Sequence, residues 1–152
     1  MLSEPELPAA AGPFTDGELT LVLAELVPSD PVKGWVAYYL FEMQVAGTVV
    51  GRILVRAART HFLDHYAGQI GYTVQEEHRG HRYAARSVRL LVPFARQLDM
   101  GTLWITCDPS NAASRRSCEH AGATFVEIVP LPVDCDMYRA GDRERCRYRI
   151  DL

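Results

Sequence analysis

Lysine is almost absent from this sequence, and so are the segments that would take a chain to a membrane. Fifteen of the sixteen Lys and Arg residues are arginine, Lys33 is the exception, and the formal net charge is −3. General binding to nucleic acid needs a broad basic surface, which this balance does not supply. No apolar run nears the roughly 20 residues that span a bilayer, and the N-terminus lacks a signal peptide's basic start and apolar core. We therefore expect no nucleic-acid partner, no membrane association and a cytoplasmic location.

The cysteines are not arranged for binding metal. The four cysteines form no Cys-x-x-Cys pair and have no accompanying histidine spacing: Cys107, Cys118, Cys135 and Cys146. Zinc sites combine closely spaced cysteines and histidines, so we expect no metal. In a reducing compartment these residues should be free thiols, most of them buried.

The length and composition are those of one globular domain. A chain of 152 residues, with 48% hydrophobic and 23% charged residues, can bury about 70% of the surface of its unfolded state. Residues 1–17 contain three prolines and a short alanine run, which predicts a flexible N-terminal arm. We expect a single folded domain over residues 18–152.

Apolar runs bounded by turn residues predict seven strands, at residues 18–27, 35–45, 48–57, 70–74, 102–107, 123–129 and 146–152. Apolar residues at helical intervals predict a helix from Tyr83 to about Leu98. A second helix can be capped by Ser110 or Asn111 and ended by Gly122. A polar loop at residues 132–144 joins the last two strands.

An arginine-rich turn at residues 79–82 joins the fourth strand to the first helix. The first backbone N–H groups of a helix are unpaired and carry the positive end of its dipole, which favours bound phosphate. Residues 79–98 contain five arginines and no acidic residue. The charge pattern alone allows two interpretations, a phosphate-binding loop or a basic helix face exposed to solvent.

Two segments carry a resemblance to a known family. Arg79-Gly80-His81-Arg82-Tyr83-Ala84 resembles the pyrophosphate-binding signature of the GNAT acetyltransferase superfamily, Gln/Arg-x-x-Gly-x-Gly/Ala. Arg82 stands where the family usually has glycine, so it either distorts the loop or adds a side-chain contact to phosphate. Residues 108–123 are similar to the family's Asn-x-x-Ala/Ser segment with its following helix, and they lie at the family's spacing from the first motif.

The resemblance implies a GNAT-like fold of the α/β (α+β) class, with a mixed, mostly antiparallel twisted sheet, splayed central strands and flanking helices. In the family, two helices usually follow the first strand and wall one side of the acceptor site. Here only residues 28–34 separate the first two strands, so we expect these helices to be missing. Their place could be taken by residues 59–66, by the N-terminal arm, or by a second subunit in a homodimer.

The resemblance also implies an acetyl-CoA-dependent N-acetyltransferase, in which an amine of a small molecule or of a protein N-terminus attacks the thioester directly. Acetyl-CoA would be the co-substrate, held largely by backbone groups. By position, the coenzyme contacts would come from Tyr72, Thr73, Val74, Arg79, Gly80, His81, Arg82, Tyr83, Ala84, Asn111 and Ser114. Asn111 could instead serve only as a helix cap.

The catalytic groups are less defined. Family members often carry a tyrosine that protonates the leaving thiolate, and here that place is Cys118, which could donate a proton or be packing only. Ser114 is a rival donor, acting directly or through water. Gln69, near the place where many relatives carry glutamate, cannot accept a proton. The base is one of several groups: Glu42, Asp64, His61, His65 or a water. Histidine is the residue type whose ordinary pKa lies closest to neutral pH, which favours His65.

The loop at residues 132–144 and the function of the whole protein each allow more than one interpretation. The loop at residues 132–144 lies near the acceptor in the family, which makes Tyr138 a candidate substrate contact, or it is an exposed connection.

The protein could also be a non-catalytic acyl-CoA-binding or regulatory module, which is favoured by Arg82, by the missing tyrosine and by the missing helices. A nucleic-acid binder that uses the arginine-rich helix fits the acidic net charge poorly.

Overall fold

The structure is a computed structural model that describes residues 11–152. Its strands are β1 (Phe14–Thr15), β2 (Leu19–Val27), β3 (Tyr38–Val45), β4 (Thr48–Arg56), β5 (Ile70–Val74), β6 (Thr102–Cys107), β7 (Thr124–Pro130) and β8 (Glu144–Asp151). Its α-helices are α1 (Tyr83–Gln97), α2 (Ala112–His120) and the single turn α3 (Asp136–Arg139). A π-helical turn (Leu63–Ala67) precedes β5, and a 3-10 turn (Glu76–His78) follows it.

The strands form two antiparallel sheets. One sheet has the order β1-β2-β3-β4-β5, and the other has the order β6-β8-β7. β3 and β4 form the predicted hairpin, whose turn residues Ala46 and Gly47 both have positive φ (50° and 80°), as a tight two-residue turn requires. With helices packed on these sheets, the expected α/β (α+β) class with mostly antiparallel strands is confirmed.

The core lies between the larger sheet and α1. Alternate residues of β3 face this helix because side chains alternate along a strand, and Tyr39, Phe41 and Met43 are fully buried. Phe94 of α1 packs edge-on against the rings of Tyr39 and Phe41, at centroid distances of 5.0 and 5.4 Å. The helix is thereby fixed across the sheet, with its N-terminal end beside the end of β5.

The two sheets meet at Gln69, just before β5. Its backbone N–H donates to the Trp104 carbonyl on β6, and its side-chain Oε1 accepts from the Trp104 N–H, both at 2.8 Å. Gly68 has a φ of 73°, and a Cβ there would lie 2.8 Å from the Trp104 oxygen, so glycine permits this close approach. Beyond Gln69, β5 pairs with β4 while β6 pairs with β8. The central strands therefore part, as the predicted splay requires.

Some local expectations are corrected. Part of the predicted arm, residues 14–15, is paired with β2 as β1 rather than loose, while residues 1–10 of that arm lie outside the described residues. The loop at residues 132–144 contains α3, and β8 begins at Glu144 instead of Cys146. Residues 28–37, all of them described, contain no helix, so the two acceptor-side helices are missing as expected.

Candidate active site

The turn before α1 has the backbone that a phosphate-binding loop needs. Arg82, in the glycine place of the motif, adopts a left-handed conformation with φ 60° and ψ 29°. The substitution of glycine therefore leaves a glycine-like backbone in place, at a cost of about 1–2 kcal/mol. No side chain caps this end of α1, and none of the described residues accepts a hydrogen bond from the N–H groups of Tyr83, Ala84 or Ala85. These three donors are free to bind an anion.

The arginines near this turn have different roles. Arg79 donates from Nε to the Val74 carbonyl at the end of β5 (3.1 Å). Arg86 instead forms ion pairs with Asp16 (2.7 Å) and Glu18 (2.9 Å), which fasten the start of α1 to the turn between β1 and β2. The hydrogen bond from Arg86 holds the pKa of Asp16 down to about 2. Arg86 is therefore a structural cation, while Arg79 remains beside the turn.

A first cavity of about 650 Å³ lies between this turn and α2. Its wall contains ten of the eleven predicted coenzyme contacts: Tyr72, Thr73, Val74, Arg79, Gly80, Arg82, Tyr83, Ala84, Asn111 and Ser114. His81 is the exception, because its ring stacks on Tyr83 at a centroid distance of 5.1 Å and does not reach the wall. The structure thus brings the two sequence motifs together on one cavity.

Helix α2 extends this wall with residues that the sequence analysis missed. Ala113, Arg116, Ser117 and His120 line the cavity, and their spacing follows one face of a helix, so the signal was present in the sequence. Asn111 caps helix α2, and its contact with the coenzyme stays a prediction. Its side chain caps the helix by accepting from the Ser114 N–H at 3.0 Å, and it also lines the cavity.

A second cavity of about 620 Å³ lies on the other side of the splay. Its wall mixes apolar, acidic and basic side chains, among them Phe62, Met137, Asp108, Asp136, Asp142, Arg56 and Arg145. Tyr72, Asn111 and Ser114 belong to the walls of both cavities. The two spaces therefore adjoin where β5 and β6 separate.

The two arginines of the second cavity are held by backbone carbonyls. Arg56 donates to Gly68 (3.0 Å), and Arg145 donates to Tyr66 (3.3 Å) and Thr106 (3.2 Å). Burial lowers the pKa of Arg56. Arg145 and Tyr66 are 79 residues apart in sequence, so no local pattern could have predicted this contact.

Ser114 and Tyr72 share a hydrogen bond at the junction of the cavities. Their hydroxyl oxygens are 2.8 Å apart, and burial raises the pKa of Tyr72, which keeps the phenol neutral. Cys118 lies behind them, with Sγ 4.0 Å from the Tyr72 hydroxyl, 1% exposed and in the wall of neither cavity. A hydrogen bond to Cys107 raises the pKa of Cys118 and lowers that of Cys107.

The other predicted residues lie apart from this junction. His65 donates from Nδ1 to the His61 carbonyl (3.0 Å) and stacks on the His61 ring at 4.0 Å. Tyr138 packs under the Arg143 guanidinium at 3.9 Å, while its neighbour Met137 reaches the second cavity. Neither His65 nor Tyr138 is in a cavity wall, so their roles stay predictions.

The remaining candidate bases have structural partners. Asp64 pairs with Arg59 at 3.1 Å and accepts from Gln69 at 2.7 Å, and Glu42 accepts from Gln44 at 3.2 Å. Within residues 11–152, no three His, Cys, Asp or Glu side chains are grouped to hold a metal ion. None of the helices in that range is long and apolar enough to cross a membrane.

Comparisons with known proteins agree with this geometry. The profile of the acetyltransferase (GNAT) domain family matches residues 1–124. No curated protein matches the chain by sequence. Among solved structures, the fold is similar to a candidate ribosomal-protein-serine acetyltransferase from Vibrio cholerae, with a TM-score of 0.64, 16% identity, and 91% of this chain and 97% of that chain covered.

Two further structures share the fold. The microcin C7 self-immunity acetyltransferase MccE, solved in complex with acetyl-CoA and AMP, has a TM-score of 0.58 and 13% identity, with 76% of this chain and 61% of that chain covered. An acetyltransferase from Salmonella typhimurium that modifies the N-terminal serine of ribosomal protein L7/L12 has a TM-score of 0.59 and 18% identity, with 80% and 66% covered. The chain thus spans less than two thirds of the length of these two structures.

Proposed function

Because the chain belongs to the GNAT acetyltransferase family, we propose that it transfers an acetyl group from acetyl-CoA to an amine, by direct attack of the amine on the thioester. The observation that carries this proposal is the pair of cavities that adjoin at the splay. One has the arginine-rich turn in its wall and the other has acidic and basic side chains, and Tyr72, Asn111 and Ser114 belong to both. Direct transfer needs two ligands to meet at such a junction.

The first cavity fits coenzyme A. Free N–H groups at the start of α1 and the guanidinium groups of Arg79 and Arg82 suit the pyrophosphate, and Arg116 on α2 adds positive charge to the same wall. β5 is an edge strand of its sheet, and its open side offers backbone groups to an extended ligand, apart from the Val74 carbonyl, which accepts from Arg79. When bound, the coenzyme supplies an activated acyl group. The chain holds it, orients it and excludes water from the splay.

Ser114 is the group we propose for protonating the leaving thiolate. Its hydroxyl lies at the junction and is oriented by Tyr72 at 2.8 Å. Cys118 remains a second candidate, but it would need to act through Ser114 or Tyr72 because it is buried behind them. His65, predicted as the base, is joined as a candidate by Asp108, which lines the second cavity and whose Oδ1 accepts hydrogen bonds from Ser110.

The acceptor is an amine that the second cavity attracts. Its wall holds three acidic residues, Asp108, Asp136 and Asp142, against two arginines, Arg56 and Arg145, and this small negative balance favours a positively charged group. The Salmonella neighbour modifies a protein N-terminus, which supports testing N-terminal peptides beside small amines. A homodimer stays a prediction, and the exposed Phe125 and Ile128 on the edge strand β7 are the surface on which we would look for it.

The test is release of CoA thiol from acetyl-CoA with a panel of small amines and N-terminal peptides, alongside calorimetry with CoA alone. We expect turnover with at least one amine, and Ser114→Ala should lower kcat by about 10²-fold while CoA still binds. Thr124→Ala, which removes an exposed hydroxyl outside both cavities, is the matched control. Binding of CoA without turnover of any amine would favour the non-catalytic acyl-CoA-binding module, and no heat with CoA would contradict both.

A further inference from the structure

The side chain of Tyr72 lies at the boundary of the two cavities. It crosses from β5 to the first turn of α2, where its hydroxyl lies 2.8 Å from Ser114 Oγ and 3.4 Å from the Ser114 carbonyl oxygen. The same residue lines the cavity on each side. Tyr72 therefore lies, with Asn111 and Ser114, at the boundary where the first cavity adjoins the second.

The Tyr72 side chain is held in place at both ends. On the strand side, Tyr72 is paired with Ile53 of β4 within a continuous ladder, and its ring packs against the hydrophobic core. On the helix side, Ser114 is fixed because its N–H donates to Asn111, the cap of α2. A side chain held by a strand at its base and by a helix at its tip loses little entropy when a ligand binds, and moving it would break both sets of contacts.

We propose that Tyr72 sets the length of the acyl group, so that the protein accepts acetyl and excludes longer chains. This inference rests on the proposed function, since it takes the first cavity as the coenzyme site and the second as the acceptor site. The acyl group of a bound thioester would lie where the two cavities adjoin. A two-carbon group can stop in front of the ring, whereas additional methylenes need the volume that the ring fills, and a packed site yields little.

The experiment compares acetyl-CoA with butyryl-CoA in the full chain. Two ratios are measured for each protein. The first is kcat/KM with acetyl-CoA divided by kcat/KM with butyryl-CoA, both with the same amine. The second is the calorimetric Kd for butyryl-CoA divided by that for acetyl-CoA, both without amine. In the wild type we expect both ratios to be at least about tenfold in favour of acetyl. Tyr72→Ala should lower each ratio at least about tenfold, because it removes the ring that fills the space where the two cavities adjoin.

Tyr72→Phe is the matched control, because it removes the hydroxyl and keeps the ring. We expect it to keep the wild-type ratios within about twofold. If Tyr72→Ala does not fold, judged by its thermal unfolding transition, Tyr72→Leu replaces it under the same criteria. Wild-type ratios near one, ratios unchanged by the smaller side chain, or equal relaxation in Tyr72→Phe would each overturn the proposal. If no amine is turned over by any variant, the proposed function fails, and the calorimetric ratios decide about Tyr72 by themselves.

Discussion

Arg82 combines two properties that a substitution can separate. Its backbone is left-handed, with φ 60°, and its side chain belongs to the wall of the first cavity. Glycine adopts this conformation without the steric cost that a Cβ brings. An arginine at this place is thus expected to lower the stability of the turn in exchange for a charge near the phosphate site.

Arg82→Gly should therefore change stability and affinity in opposite directions. We expect the free energy of unfolding to rise by up to about 1 kcal/mol, because the strain is relieved. The affinity for CoA should fall by about 1.5–3 kcal/mol, because a charge-assisted bond to phosphate is lost. Urea unfolding and calorimetry measure the two effects.

Arg82→Ala is the control, since it keeps the strained backbone and loses the charge. It should weaken CoA binding as much as Arg82→Gly without the gain in stability. If Arg82→Gly bound CoA as tightly as the wild type, Arg82 would not be a phosphate ligand, and the backbone N–H groups of α1 would be left to hold the pyrophosphate.

Residues of one site can be grouped from the sequence where they are contiguous. The turn at residues 79–84 could be recognised because its motif lies within six positions, and the structure puts most of it on one cavity. The Tyr72–Ser114 contact could not, because the two residues are 42 positions apart and meet only where the strands splay. The sequence predicted Tyr72 as a coenzyme contact but could not indicate that it lines two cavities.

At the scale of elements, the longer strands and helices could be predicted because their apolar periods are sustained. β1 and α3 could not, since two and four residues are too short to show a period. β1 is placed by contacts that are distant in sequence. Asp16, which follows it, is bound to Arg86 of α1, 70 positions away, so the edge of the larger sheet and the start of α1 stabilise one another.

This contact predicts how stability depends on pH. Arg86 holds the pKa of Asp16 at about 2, below its ordinary value of 3.8. A lowered carboxyl pKa contributes stability that is present above the unfolded-state value and is lost as pH falls from about 4 to 2. Asp16→Asn should therefore cost about 0.5–1 kcal/mol at neutral pH, since the pair is partly exposed, and the difference from wild type should vanish near pH 2.

Urea unfolding of the wild type and Asp16→Asn between pH 2 and 7 measures this dependence. The control is Asp134→Asn, which changes an exposed carboxylate that forms no ion pair with any described residue. It should leave stability within about 0.5 kcal/mol of wild type over the whole range. A difference between wild type and Asp16→Asn that persists at pH 2 would contradict the ion pair as its source.

At the scale of the whole molecule, Gln69 joins two sheets that otherwise diverge. It is fully buried, its Oε1 accepts from the Trp104 N–H at 2.8 Å, and its Nε2 donates to Asp64 Oδ1 at 2.7 Å. The amide accepts a hydrogen bond on one side and donates one on the other, whereas a carboxylate can only accept. From the sequence, Gln69 is only a residue that cannot act as a base, whereas in the structure its hydrogen bonds link β6 to the segment before β5.

Gln69→Glu tests this joint through pH. A protonated glutamic acid can keep both hydrogen bonds, but a glutamate would face Asp64 without a proton between them, so its folded-state pKa should be raised above the unfolded value of about 4.3. The variant should be near wild-type stability at pH 4 and lose about 1.4 kcal/mol per pH unit above that, reaching about 2–4 kcal/mol at pH 7.

Gln69→Met, which cannot titrate, should show a loss that does not change with pH. Urea unfolding followed by tryptophan fluorescence measures both, because Trp104 lies at the joint. If Gln69→Glu lost the same free energy at pH 4 and pH 7, the hydrogen bonds at Gln69 would not be what couples the two sheets.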